Sequence, residues 1–384
     1  MMRLTASAIL VACLTLGACA NPDAHNILAE AAAYGERQAQ QTERIHIATT
    51  RAPAGRAGDV FGRERAQQLS FAYADIAVPP RRKLGEKARP ASGKPDPDRH
   101  FVATRVGLYG EARGFEDAVR ASLKRSGGRA LVFVHGYNNH FDDSVYRLAQ
   151  LVADAGFGGT AVLFSWASAG RTLDYIYDRD SASTAREELE ETLRLLARAG
   201  ATSIDLVAHS MGNWIAVEAL RQLAIAGEPD LRGRLGEVVL ASPDIDIDVF
   251  KSQMRRIGKP KRPYFVLVSG DDRALRLSSL IAGQSPRVGE YADARALADY
   301  GVVVVNMSDL KAGDRLNHAK FADNPLIVRL LGRQLADPNA FAGSSSDISD
   351  AIGLVARGLG RAVGSATELV ITAPGSILRV AVGG

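Results

Sequence analysis

The sequence of 384 residues contains only two cysteines, Cys13 and Cys19, and both fall within the first twenty positions. The body of the chain therefore has no disulfide, thiolate zinc site, iron–sulfur cluster or cysteine nucleophile. A strong charge of one sign is also missing, because 47 Lys and Arg residues against 43 Asp and Glu residues leave a net charge of +4. So small a surplus argues against a nucleic-acid-binding protein.

The first apolar stretch of the chain is too short to span a bilayer well. Arg3 precedes the apolar run Leu4–Leu16, a pattern typical of a secretory signal. The sequence Leu16-Gly17-Ala18-Cys19 resembles a bacterial lipobox, in which the cysteine receives a lipid before cleavage. We therefore predict a lipoprotein signal peptide over residues 1–18 and a tether over residues 19–40, with an ordinary cleaved signal peptide as the alternative.

A lipid on Cys19 would anchor the protein to a membrane, since each buried methylene contributes ~0.8 kcal/mol. The next residue, Ala20, is not Asp, and by the bacterial sorting rule this favours the outer membrane. We expect the protein to be anchored in the cell envelope and to face the periplasm. A secreted protein is the alternative.

Strand-like and helix-like segments alternate over residues 41–336. Two strand-like runs come early, Arg44–Thr50 and Leu69–Val78, and six short apolar runs follow, at Ala130–Val134, Thr160–Phe164, Ile204–Val207, Val238–Ala241, Tyr264–Val268 and Val302–Val305. Segments with helical period separate them, such as Asp143–Ala155, Ser183–Ala199, Asn213–Ala226 and Pro325–Leu335. Strands without alternation are buried on both faces, and strands separated by helices pair in parallel. The pattern predicts an α/β fold with a mostly parallel, doubly wound sheet of about eight strands. The Gly/Ser-rich residues 337–384 are expected to form a partly disordered tail, with a marginal helix as the alternative.

Ser210 has the sequence surroundings of a catalytic nucleophile. It follows the strand-like run Ile204–Val207, and it has Ala208 two positions before it and Gly212 two positions after it. A strand–turn–helix elbow needs small residues at those two positions because both backbones pass close to the strained serine. No other serine of the sequence has this pattern, so we predict that Ser210 is the nucleophile.

His318 is the candidate for the base that activates this serine. Of the seven histidines, it alone lies in a polar loop between the strand-like run Val302–Val305 and the final helical segment. If the chain order is serine, acid, histidine, the base belongs in that loop. We therefore predict that His318 takes the proton of Ser210.

Two neighbouring carboxylates follow the strand-like run Tyr264–Val268. They are Asp271 and Asp272, directly after Gly270, and the end of a strand between nucleophile and base is where the acid belongs. We predict Asp272, because Gly270 makes the turn and the second Asp begins the next segment. Asp271 is the fallback, and Asp244, at the end of the preceding strand, remains a competitor.

An oxyanion hole needs two backbone donors that are held in place. The N–H of Met211, directly after the nucleophile, is one candidate. The loop His135-Gly136-Tyr137, after the run Leu131–Val134, offers the other, because His-Gly at a strand end lets the backbone turn towards the serine. We predict that the N–H groups of Tyr137 and Met211 bind the oxyanion.

From about Ile47 to Leu335 the chain resembles a family of poorly characterised bacterial α/β-hydrolases, often lipid-anchored or secreted. The resemblance rests on Ala48-Thr49-Thr50-Arg51, His135-Gly136-Tyr137-Asn138-Asn139, Ser165-Trp166-Ala167-Ser168, Ala208-His209-Ser210-Met211-Gly212, Pro243-Asp244-Ile245-Asp246, Asp272-Arg273-Ala274-Leu275 and Asn317-His318. It implies an α/β-hydrolase fold with a Ser-Asp-His triad. Ala167 stands where the family more often has Pro, which affects the stiffness of a loop.

These features predict a serine hydrolase of the esterase or lipase type, acting through an acyl-enzyme intermediate without cofactor or metal. Its partners would be a small-molecule or lipid ester and a membrane, with no nucleic acid. An envelope acyltransferase with the same triad is one alternative, and a non-catalytic binding lipoprotein of this fold is another.

Overall fold

The structure is a computed structural model that describes residue 28 and residues 41–54, 60–86, 95–311, 313–337, 340, 352–355 and 367–382. The predictions of a signal peptide, a lipid on Cys19 and most of the tether concern residues 1–27 and 29–40, which lie outside the described residues. Within the described part, no helix is long and apolar enough to cross a bilayer.

One sheet of eleven strands organises the described chain, in the order β11-β10-β9-β8-β7-β6-β4-β5-β1-β2-β3. The strands are β1 (Thr42–Pro53), β2 (Phe61–Ala77), β3 (Val102–Leu108), β4 (Arg129–Val134), β5 (Thr160–Ser165), β6 (Ser203–His209), β7 (Leu235–Ala241), β8 (Tyr264–Val268), β9 (Val302–Asn306), β10 (Thr367–Ala373) and β11 (Ser376–Val382). The pairs from β9 through β8, β7, β6, β4 and β5 to β1 are all parallel. Antiparallel pairs extend the sheet at both ends. The predicted α/β fold with a mostly parallel sheet is confirmed.

Helices connect the parallel strands and cover both faces of the sheet. They are α1 (Ala112–Arg125), α2 (Phe141–Ala155), α3 (Tyr175–Thr184), α4 (Arg186–Arg198), α5 (Gly212–Ile225), α6 (Ile247–Ile257), α7 (Arg273–Ile281), α8 (Ala294–Ala298), α9 (Lys320–Asp323) and α10 (Pro325–Ala336). Along β4, Leu131 and Phe133 join one hydrophobic cluster, while Val132 and Val134 join the other. This double burial explains why the strands read as near-continuous apolar runs.

The count of eight strands was wrong, because the sheet has three more. All eight predicted strands are present, and β3, β10 and β11 are added to them. The two C-terminal strands also correct the expectation of a partly disordered tail for residues 367–382. β10 pairs with β9, the last strand of the parallel part of the sheet, and Leu369, Val380 and Val382 are buried in the same cluster as Val305. Apolar burial and the open edge of β9 therefore order this segment despite its Gly/Ser-rich neighbours.

The parallel pairing places the carboxyl ends of β4, β6, β7, β8 and β9 along one edge of the sheet. Loops that follow parallel strands meet at such an edge, which is where α/β proteins place their sites. The loops after these five strands carry the candidate residues Tyr137, Ser210, Asp244, Asp272 and His318.

Candidate active site

Ser210 lies in a sharp turn between β6 and α5. Its φ of 53° is in the left-handed region, a strained conformation typical of a nucleophile elbow. A Cβ on Gly212 would lie 2.7 Å from the carbonyl oxygen of Val134, so only glycine fits there. Asn213 Nδ2 donates to the carbonyls of both Ser210 and Ala241 at 2.9 Å, and this side chain ties the strained turn to β7.

The structure brings His318 and Asp272 into direct contact. Nδ1 of His318 lies 2.7 Å from Oδ2 of Asp272, and since a carboxylate only accepts, Nδ1 carries the proton. The other carboxylate oxygen accepts from the N–H groups of Ala274 and Leu275 at 3.0 Å, because Asp272 is the N-cap of α7. The carboxylate is fully buried. It is thus held by the helix while it orients the imidazole.

The two alternative acids have other partners. Asp271 binds the buried ammonium of Lys320 at 2.6 Å and accepts from Nδ2 of Asn317 at 3.0 Å. Asp244 accepts from the hydroxyl of Ser278 at 2.5 Å and pairs with Arg287 at 3.3 Å. Neither carboxylate hydrogen-bonds His318 within the described chain.

The surroundings of His318 favour its protonated form. Burial acts to lower the pKa of the imidazole, but the charge and hydrogen bond of Asp272 and the charges of Asp314 and Asp244 outweigh it and raise the pKa above the ordinary value. The carboxylates therefore stabilise an imidazolium at this place.

The loop that carries His318 is fastened to the elbow. The carbonyl of His318 lies 3.3 Å from Nε2 of His209 and accepts from the hydroxyl of Ser242 at 3.3 Å. Among the described residues, the hydroxyl of Ser210 makes no hydrogen bond to His318. Hydrogen bonds between catalytic groups are often formed only when substrate binds.

Tyr137 and Met211 both lie next to the elbow, one in the loop after β4 and one directly after Ser210. Gly136 lies against the serine, since a Cβ there would be 2.8 Å from Cβ of Ser210. Neither the amide of Tyr137 nor that of Met211 donates to another described residue. Two uncommitted amides next to a strained serine have the chemistry of an oxyanion hole.

Sequence reasoning assigned no role at the site to two residues that support this arrangement, Asn213 and Arg51. Asn213 follows the elbow directly, and Arg51 is a buried cation on β1. A buried polar residue in such a place is a signal in itself, because it needs specific partners. No group of three or more His, Cys, Asp or Glu residues in the described ranges is arranged to hold a metal ion.

Residues 112–334, more than half of the chain, match the family described as alpha/beta hydrolase of unknown function (DUF900). Two solved structures of an esterase from Pyrobaculum calidifontis are also similar. The monoclinic form is 14% identical with a TM-score of 0.35, over 85% of this chain and 90% of that chain. The other, described as a hyperthermophilic esterase, is 12% identical with a TM-score of 0.36, over 80% and 88%. No curated protein matches the chain.

Proposed function

Because the chain belongs to this family of α/β hydrolases, we propose that it hydrolyses carboxylic esters with Ser210 as nucleophile, His318 as base and Asp272 as acid. The observation that carries the proposal is the 2.7 Å contact between Nδ1 of His318 and the buried carboxylate of Asp272. With the proton of a neutral imidazole held on Nδ1, Nε2 is unprotonated and can accept a proton. Asp271 and Asp244 are occupied by other cations, which favours Asp272 over both.

In the proposed mechanism, Nε2 of His318 takes the hydroxyl proton of Ser210 as Oγ attacks the ester carbonyl. Asp272 stabilises the imidazolium that forms. The N–H groups of Tyr137 and Met211 bind the negative oxygen of the tetrahedral intermediate. The imidazolium then returns its proton to the leaving alcohol, and a water molecule activated by His318 releases the acid from the acyl-enzyme.

We also propose that the enzyme acts at the bacterial cell envelope. The support is the sequence Leu16-Gly17-Ala18-Cys19 and the apolar run before it. Acylation of Cys19 would hold the domain at a membrane surface that contains ester substrates.

A chain-length series of chromogenic acyl esters tests the proposed reaction. The full chain is assayed next to its Ser210→Ala variant, and a triad knockout is expected to lower turnover on the order of 10⁶-fold. Activity that peaks at short chains indicates an esterase, and activity that rises with chain length indicates a lipase. No hydrolysis of any ester in the series, or activity of Ser210→Ala equal to that of the wild-type chain, contradicts ester hydrolysis by this serine.

A further inference from the structure

A buried arginine lies behind the loop that provides the Tyr137 amide. Arg51, on β1, is 1% exposed and forms no ion pair with a carboxylate in the described ranges. Its guanidinium instead donates to the hydroxyl of Ser165 at 3.0 Å and to the carbonyls of Ser168 at 2.9 Å and Asn139 at 2.8 Å. A buried cation is costly without such partners, so this residue has a specific structural task.

A directed chain of hydrogen bonds leads from this guanidinium to the loop. Nε of Arg51 donates to Oγ of Ser165, whose own proton is then free to go to Nε2 of His135 at 3.3 Å. Nδ1 of the same ring lies 2.9 Å from the carbonyl of Gly136, and because a carbonyl only accepts, Nδ1 carries the proton. Each group therefore donates to the next.

The imidazole of His135 is held neutral and fixed in orientation. Burial lowers the pKa of His135 to about 3, and the nearby charge of Arg51 acts in the same direction. The ring stacks on Trp166 with centroids 5.1 Å apart, and Nε1 of Trp166 donates to the carbonyl of His135 at 2.7 Å. These contacts fix both the tautomer and the orientation of the ring.

The series of hydrogen bonds from Arg51 ends at the peptide unit that carries the oxyanion donor. The carbonyl of Gly136 and the N–H of Tyr137 belong to one trans peptide, so they point in opposite directions. The carbonyl is held by His135 and also accepts from Nδ2 of Asn139 at 3.2 Å. Fixing this carbonyl therefore fixes the direction of the Tyr137 N–H.

We propose that Arg51, acting through Ser165 and His135, is a positioning residue that orients the Gly136–Tyr137 peptide for oxyanion binding. The inference rests on the proposed function, since it assigns a task to the Tyr137 amide. Oxyanion stabilisation acts only in the transition state. Loss of the hydrogen bonds that lead from Arg51 to Gly136 therefore lowers kcat and leaves KM nearly unchanged.

Ser165→Ala tests this series of hydrogen bonds, because it removes the hydroxyl that links Arg51 to His135. We expect kcat for the best chromogenic ester to fall at least tenfold, approaching the ~10²–10³ typical of one lost oxyanion donor, with KM within about threefold. Ser144→Ala is the matched control, since Ser144 is a buried serine of α2 whose hydroxyl donates to the carbonyl of Phe141. Arg51→Lys, which keeps the charge but not the planar fork, is the second variant and is expected to act in the same direction.

A second readout does not depend on turnover. Nitrogen-15 NMR of labelled histidines, assigned with His135→Gln, is expected to show His135 as the Nδ1–H tautomer, with no titration between about pH 5 and 8. In Ser165→Ala the Nε2 resonance is expected to shift, because Nε2 loses the hydroxyl that donates to it, while Nδ1 keeps its proton on the Gly136 carbonyl.

Three outcomes decide the inference. Loss of kcat together with the shifted Nε2 resonance of His135 supports it, with melting curves showing that the variants are folded. If Ser165→Ala and Arg51→Lys retain the kcat of Ser144→Ala while Ser210→Ala is inactive, the positioning role is overturned and the proposed function stands. A wild-type protein without Ser210-dependent activity contradicts the proposed function and this inference with it.

Discussion

At the scale of single residues, the candidate site depends on how two acidic groups divide their tasks. Asp271 and Asp272 are neighbours in the chain, yet one binds the ammonium of Lys320 and the other binds His318. The sequence predicts a carboxylate at this strand end, and the start of α7 favours the second one. Asp271 does not bind His318 because it binds the buried Lys320. The burial of Lys320 depends on packing between the loops after β8 and β9 and has no local signature in the sequence.

The raised pKa of His318 predicts a pH dependence of ester hydrolysis. The base must be neutral, so kcat/KM falls as the pH drops through the pKa of the free enzyme. Since Asp272 is the leading cause that raises this pKa, Asp272→Asn is expected to move the acid limb to lower pH. It is also expected to lower kcat by ~10³–10⁴-fold, because the imidazole loses its tautomer and its counter-charge.

A pH–rate profile of both proteins measures this shift. Asp271→Asn is the matched control, because within the described chain that carboxylate bonds Lys320 and Asn317 and does not hydrogen-bond His318. A limb that moves to higher pH in Asp272→Asn, or moves as far in Asp271→Asn, contradicts the pairing.

At the scale of elements, the sequence indicates the strands that are buried on both faces and misses those at the ends of the sheet. The parallel strands β4 to β9 are apolar runs between helical segments, so they are found from composition alone. β3 pairs with one neighbour only, β2, and its sequence Val102–Leu108 includes exposed and half-buried residues. β10 and β11 flank the turn Pro374-Gly375; Pro-Gly indicates a turn but not specifically a hairpin, and the sequence before it is rich in Gly and Ser.

The C-terminal hairpin is expected to contribute to the stability of the whole sheet. Leu369 on β10 is fully buried against the cluster that contains Val305. Leu369→Ala is therefore expected to lower the free energy of unfolding by about 2–4 kcal/mol, through lost burial and the remaining cavity. Chemical denaturation of the full chain measures the loss.

The matched control for this change is Ile377→Ala on β11, because Ile377 is 42% exposed. Its loss of stability is expected to stay below about 1 kcal/mol. If Leu369→Ala costs no more than the control, the hairpin does not pack on the sheet as described.

At the scale of the whole molecule, the chain combines a hydrolase domain without cysteine with two cysteines in its first twenty residues. The resemblance to an α/β-hydrolase family, drawn from short motifs, is confirmed by the family match over residues 112–334. The elbow was recognisable because its geometry restricts residues 208 and 212 to small side chains. The supporting network from Arg51 to Gly136 was not, because it joins residues that are distant in sequence.

The proposed lipobox over residues 16–19 predicts that the protein is anchored to a membrane. Cys19→Ser is expected to abolish acylation and to move the protein from the detergent phase to the aqueous phase of a detergent-partition experiment, because the anchor is lost. Cys13→Ser is the control, since Cys13 lies within the predicted signal peptide. Retention of Cys19→Ser in the detergent phase contradicts a lipid anchor on this cysteine.

The most direct test of the central claim is covalent labelling with a fluorophosphonate probe, followed by mass spectrometry of the modified peptide. We predict one adduct, on Ser210, that is absent from Ser210→Ala and forms much more slowly in His318→Ala, because the serine then lacks its base. Labelling that persists in Ser210→Ala, or an adduct on another serine, would contradict the assignment of Ser210 as the nucleophile.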